Sequence, residues 1–367
     1  MIDLSVLKNE ERAIITLRSL YHSYGYLPFK MSKFEEYDLY VRNKDFLVSD
    51  RVITFNDTNG NLLALKPDVT LSIIKNTEEE EGCTQKVYYN ENVYRVSGGT
   101  GQFKEIMQTD LECIGDVSSS DIFEVVYLAA KSLSLVAEDF VLDISHMGIL
   151  ASVIEEACDS ELFKREVTAL IAEKNAHETE ALCKKYRVSK ENTDILTNLS
   201  TMYGDMSSVL SRLLPICKTS ASRTAYAELS ALAELLSSTE YAKRIRFDFS
   251  VVNNMNYYNG IVFRGFLSGI CEGVLAGGEY GKLLSNMGRK SGAIGFALYL
   301  DLLSELDRER VEYDVDILLL YSDSTSPCEL AAKKSALIAE GKTVSAQKSI
   351  PKKLRYREII KMEGTYK

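Results

Sequence analysis

The sequence predicts an α+β fold: an antiparallel sheet flanked by helices and interrupted by a helical insertion, with a small βαβ-like appendage at the C-terminal end. Three observations carry this. Strand-like runs with turn signals fill the first third of the chain, helical composition dominates from Ser120 to about Tyr241, and strands return at Arg246. The parts are 1–144 for the first half of a sheet core, 145–241 for the insertion, 242–310 for the second half of the core and 311–367 for the appendage.

Taken in order, the first periodic signal is Ala13, Ile14, Leu17, Leu20, Tyr21 and Tyr24 at helical spacing, ended by Gly25 with Pro28 beyond. Val52 to Phe55 and Leu62 to Leu65 flank Asn56-Asp57-Thr58-Asn59-Gly60, a hairpin signal. Pro67 stops the strand, and Val69 to Lys75 reads as a helix. Lys86 to Val96 and Lys104 to Ile114 form a second hairpin around Ser97-Gly98-Gly99-Thr100-Gly101-Gln102. Past the helical stretch come strands at Arg246 to Val252 and Asn259 to Phe266, a Gly277-Gly278 turn before a helix, and a buried strand or helix starting at Ala293. After Arg310 a strand at Val315 to Tyr321, a helix from Cys328 to Glu340 and Thr343-Val344-Ser345 make the appendage.

Composition narrows the function. The 367 residues are 46% apolar and 26% charged, which is globular and ample for two or three cores. No basic-then-apolar leader opens the chain and no apolar run approaches the ~20 residues of a spanning helix, so a cytoplasmic protein without a membrane partner is expected. Seven scattered cysteines are expected to be reduced, and three histidines without ligand spacing predict no metal and no cofactor. A net charge of −10 opposes binding to a polyanion. The basic run Lys348 to Lys361 fits a nucleic-acid patch, a solvated terminal helix or a surface for an acidic partner.

Several residues invite a chemical role. Asp68, where a strand gives way to a helix, is either an N-cap or a carboxylate aimed at a cationic ligand. Gln108, Asp110 and Glu112 alternate with apolar neighbours, so one strand face is polar; it faces solvent or a ligand. Arg95, on the preceding strand, is a surface ion-pair partner or a fork for carboxylate or phosphate. The Gly98 loop lacks the lysine and following helix of a phosphate cradle and reads as a hairpin turn. Asn253-Asn254-Met255-Asn256-Tyr257-Tyr258-Asn259-Gly260 is a turn, or the aromatic wall of a ligand cleft.

Together these segments resemble the catalytic core of class II histidyl-tRNA synthetases and, more closely, their non-catalytic relatives, the ATP phosphoribosyltransferase regulatory subunits. Tyr24-Gly25-Tyr26 through Phe34-Glu35 is similar to the first class II motif, with Ser32 at the family's proline. Val93-Tyr94-Arg95 with Gln108 through Gly115 resembles the second, and Ile294 through Leu298 the third. Leu65 through Thr70 looks like the strand-loop that holds the histidine amino group, Asn256 through Phe263 resembles the histidine-specific segment, and Gly277-Gly278-Glu279-Tyr280 resembles the family's glycine turn.

The resemblance implies a class II synthetase-like sheet and a histidine pocket of Asp68, Thr70, Arg95, Gln108, Glu112, Tyr257 and Tyr258, with Asp68 one methylene shorter than the family's glutamate. It places activating arginines at Asn253 and Leu302, an adenine-holding glutamate at Ser97 and a glycine at Tyr299, none of which this chain has. No catalytic residue is therefore assigned. The implied role is a regulatory subunit of a short-form ATP phosphoribosyltransferase, with histidine as effector, a dimer through the first motif and a place in histidine biosynthesis. An active or weakly active histidyl-tRNA synthetase is the alternative.

Overall fold

A computed structural model describes residues 7–43, 52–97, 100–252, 257–306 and 313–362. Gly98, Gly99, Asn253 to Asn256 and Arg310 lie outside the described residues. The chain forms two compact units, Met1–Leu306 and Asp307–Lys367.

In the first unit, helix α1 (Asn9–Ser23) buries Ala13, Leu17, Leu20 and Tyr21, the stripe expected from their spacing. Gly25 closes it at φ +82°, a left-handed conformation that costs glycine little. Then come β1 (Leu27–Pro28), β2 (Phe34–Glu36), α2 (Tyr37–Arg42), β3 (Thr54–Asn56) and β4 (Leu62–Leu65). Strands β2, β4 and β3 make a small antiparallel sheet. The β3–β4 turn is held by the Asp57 carboxylate, which accepts the N–H groups of Asn59 and Asn61, both at 2.8 Å. Next are α3 (Thr70–Asn76) and the long hairpin β5 (Thr84–Val96) and β6 (Phe103–Gly115).

Helix α4 (Ser119–Val136) opens on a capping box between Ser118 and Asp121. Strand β7 (Phe140–His146) then interrupts the stretch expected to be wholly helical. Its Leu142 and Ile144 alternate with Val141, Asp143 and Ser145, and pairing with two strands from later in the chain overrides the helical bias of its neighbours. Helices α5 (Met147–Ala157), α6 (Glu161–Ala172), α7 (Ala176–Lys185) and α8 (Lys190–Ser200), the two-residue β8 (Tyr203–Gly204), α9 (Met206–Leu213) and α10 (Ser220–Ser237) follow. The sheet resumes with β9 (Ile245–Asp248), β10 (Ile261–Leu267) and β11 (Leu275–Glu279), then α11 (Gly281–Asn286) and β12 (Gly292–Tyr299), which runs into a 3-10 turn over Asp301–Leu306.

Gly277 and Gly278, expected in a turn, lie inside β11. The reason is crowding: a Cβ on Gly277 would strike Phe296 and Phe263, and one on Gly278 would strike Tyr258. The nine strands run in the order β1-β5-β6-β12-β11-β10-β7-β9-β8, antiparallel except at β1–β5 and β7–β9. Leu111, Phe296, Phe263 and Ile144 share one face and pack with residues of α1, α4, α6 and α10 in a single apolar core. The opposite face is left for the site.

In the second unit, β13 (Val315–Leu320), α12 (Pro327–Ala339), β14 (Val344–Gln347) and β15 (Tyr356–Lys361) enclose a small core of Ile317, Leu319 and Leu337. The sheet is parallel, in the order β14-β13-β15. The basic run, expected as a terminal helix in one reading, thus ends in a strand, because β13 offers it a free edge. Among the described residues no helix is long and apolar enough to cross a membrane.

Candidate functional site

Strand register builds the site. Across β6, β12, β11, β10 and β7, the residues Asp110, Ala297, Ala276, Arg264 and Asp143 fall in one row. The next row on that face is Glu112, Gly295, Gly278 and Val262. Small residues in mid-sheet lower the floor, and charged side chains rise at either end. The result is a cavity of about 640 Å³, within the range of roughly 300–1,000 Å³ typical of small-molecule sites.

All seven residues expected in the pocket line this one cavity. Glu112 is its centre. Thr70 donates to Glu112 Oε1 at 3.2 Å, and the Tyr280 hydroxyl donates to Oε2. A Cβ at Gly295 would collide with the same carboxylate, so the bare backbone makes room for it. Asp68 lines the cavity and accepts the Leu71 N–H at 3.4 Å, but the residue at the N-cap of α3 is Val69, one position later than the N-cap reading put it. Arg95 lines the same cavity; its Nε donates to the Pro67 carbonyl at 3.1 Å, and its guanidinium lies beside Asp68 and Tyr299. The Tyr257 and Tyr258 rings lie with centroids 4.5 Å apart and tilted by 49°, and Tyr257 reaches Tyr280 at 5.6 Å between centroids.

The acids are strained electrostatically. Burial pushes the Glu112 carboxyl up to about 8, with neighbouring Asp68 adding to the rise and the bonds from Tyr280 and Thr70 opposing it. Asp110 is raised well above the carboxylate range by burial and by Glu112 and Asp68. Asp68 is raised by burial, with Arg95 pulling the other way. All three shifts run the same way, toward the protonated form, and burial is the first cause of each. Gln108 donates to Asp110 Oδ2, yet Gln108 Oε1 and Asp110 Oδ1 are buried without partners. A buried carbonyl and carboxyl oxygen left open are acceptors awaiting a donor.

Sequence reasoning did not assign Asp110, Tyr280, Tyr299, Arg264 or Asp143 to the pocket, though all line it. Alternation along β6 already placed Asp110 on the right face. Asp143 was hidden by the helical reading of β7. Where the resemblance puts an arginine clamp, Leu302 packs against the apolar core. Ser97 only closes its hairpin, its N–H bonded to the Gln102 carbonyl at 2.8 Å. Among the described residues no cluster of His, Cys, Asp and Glu is placed to hold a metal ion.

A mostly antiparallel sheet with helices on one face and a polar cleft on the other is the architecture of a class II synthetase-like protein. A family model described as histidyl-tRNA synthetase matches residues 4–303. An ATP phosphoribosyltransferase regulatory subunit of Caldanaerobacter subterraneus subsp. tengcongensis is 30% identical over 289 residues, covering 77% of this chain and 75% of that one. The chain belongs to the histidyl-tRNA synthetase-like family, in its branch of ATP phosphoribosyltransferase regulatory subunits. Among solved structures, an ATP phosphoribosyltransferase regulatory subunit/histidyl-tRNA synthetase of Bacillus halodurans C superposes with a TM-score of 0.78 at 23% identity, over 98% of this chain and 96% of that one. The ATP phosphoribosyl transferase (HisG:HisZ) complex of Thermotoga maritima gives 0.62 at 20% identity, over 79% and 97%. At such identities these likenesses establish the fold.

Proposed function

We propose that this chain is a non-catalytic regulatory subunit that acts with a short-form ATP phosphoribosyltransferase in the first step of histidine biosynthesis, and that its cavity binds free histidine as the feedback signal. The observation that carries this reading is an uneven site. The amino-acid end keeps Thr70, Gln108, Glu112, Tyr257 and Tyr258 around one cavity. By the family resemblance, Asn253 and Leu302 stand at sequence positions where adenylation needs cations; Leu302 packs against the apolar core, and Tyr299 lies against Arg95.

In this reading the ligand's ammonium meets Glu112 and Asp68, its carboxylate side meets Arg95, and Tyr258 covers the imidazole. The branch to which the chain belongs supports the regulatory role, and the Thermotoga maritima complex supports a catalytic partner. The chain is expected to self-associate as a dimer and to work in the cytoplasm.

Pyrophosphate exchange separates this from the synthetase alternative. Loss of one preorganised charge-stabilising donor costs about 2.7–4 kcal/mol at the transition state, and two are absent. Histidine-dependent exchange of pyrophosphate into ATP is expected to stay at the no-enzyme background; exchange clearly above it would restore the synthetase reading.

A further inference from the structure

The cavity wall opposite the acidic strand carries charges that the proposed function leaves unused. Arg264 on β10 and Asp143 on β7 stand directly opposite each other in register, both lining the cavity. Opposite charges at such positions ordinarily pair, because cross-strand Cβ atoms lie about 4.5–5.5 Å apart. These two do not. The Arg264 guanidinium lies over the Phe266 ring, 5.8 Å from its centroid, and the side chain is exposed. Asp143 is only 8% exposed, and its Oδ1 has no hydrogen-bond partner.

The other charges nearby are already committed. Lys174 pairs with Asp248 at 2.8 Å, Asp248 also accepts the Ser250 N–H at 2.8 Å, and Arg246, beside Asp143 on β9, donates to the Tyr203 hydroxyl. Among the described residues, this wall keeps one buried acceptor, the Asp143 Oδ1 that Lys174 and Arg246 attract but do not hydrogen-bond, and one guanidinium without an ion pair, that of Arg264. An unpaired buried carboxyl is unfavourable until something supplies a donor. A ligand that carries an ammonium and a carboxylate on one carbon supplies both missing partners at once.

We propose that this far end of the cavity is a second binding subsite that takes a zwitterionic α-amino acid, its ammonium on Asp143, its carboxylate on Arg264 and its side chain along Val252 and Ala276. Arg264 and Asp143 lie three and four strands from Asp110, roughly 14 and 19 Å at a spacing of about 4.8 Å per strand. Both ends can therefore be filled together. The subsite goes beyond the histidine reading and does not depend on it.

The test is calorimetric titration of each standard L-amino acid, and of its decarboxylated amine, into the full chain and into Arg264→Ala, Asp143→Asn and Glu112→Ala. A far-end ligand is expected to lose about tenfold or more in affinity with Arg264→Ala and with Asp143→Asn, and to be unaffected by Glu112→Ala. Its amine is expected to bind at least about tenfold more weakly. A near-end ligand shows the reverse pattern, so failure of one site is distinguishable from failure of the other. Arg264 is exposed, so its replacement decides the matter even where Asp143→Asn disturbs folding. No amino acid showing the far-end pattern, or an amine binding as tightly as its parent, would overturn the proposal.

Discussion

Glu112 is held by two hydroxyl donors, pressed against a glycine and surrounded by acids, and this combination makes it the most informative residue in the chain. Hydrogen bonds to charged groups contribute on the order of 1.5–3 kcal/mol, so Glu112→Ala is expected to weaken histidine binding about tenfold or more by calorimetry. Its proton gives a second readout. The folded carboxyl titrates at about 8 against an ordinary 4.5, so between those values the folded chain holds more protons than the unfolded one. Stability from this group is present in full below the lower value and is lost as pH rises through the upper one. Glu112→Gln removes that dependence. Its melting temperature is expected to gain on the unmodified chain as pH goes from about 5 to about 8; a constant difference would contradict the burial argument. Seven of the residues that line the cavity were named through the family resemblance, and alternation alone marked only the polar face of β6. Tyr280 and Tyr299 were visible too, but nothing in a linear chain shows that one hydroxyl reaches Glu112 and the other Arg95.

At the scale of elements, the cavity depends on β11 and β12 passing beneath it with almost no side chain. The two rows of the floor supply Ala297 and Ala276, then Gly295 and Gly278. Gly295→Ala is expected to abolish measurable histidine binding, because its methyl would occupy the space of the Glu112 carboxylate. A near-normal circular dichroism spectrum would show that the loss is local. Unchanged affinity would mean that the ligand does not need Glu112 in this position. Gly277-Gly278 looked like a turn because paired glycines usually mark one; the Gly295 and Ile261 carbonyls, with the Phe263, Phe296, Val262 and Tyr258 side chains, leave no room for a Cβ there and explain glycine inside a strand. β7 was missed for a related reason. Its seven residues are flanked by two helices, and the strand exists because β10 and β9 supply its hydrogen bonds from more than a hundred residues away in sequence.

On the scale of the whole molecule, every cavity residue belongs to the first unit, and the second has its own small core. A chain ending at Leu306 is therefore expected to bind histidine with unchanged affinity by calorimetry, and a marked loss would assign the appendage a part in the pocket. Regulation asks for more than binding. A ligand with equal affinity for two states of an assembly shifts neither, so histidine must favour the inhibited one. The most direct measurement titrates histidine against the reconstituted transferase, formed by the short catalytic subunit with this chain or with its Glu112→Ala or Tyr258→Ala variant. Inhibition is expected with the unmodified chain, and at a histidine concentration about tenfold or more higher with either variant. Equal sensitivity in all three would contradict the account and move the effector site to the partner or to the interface.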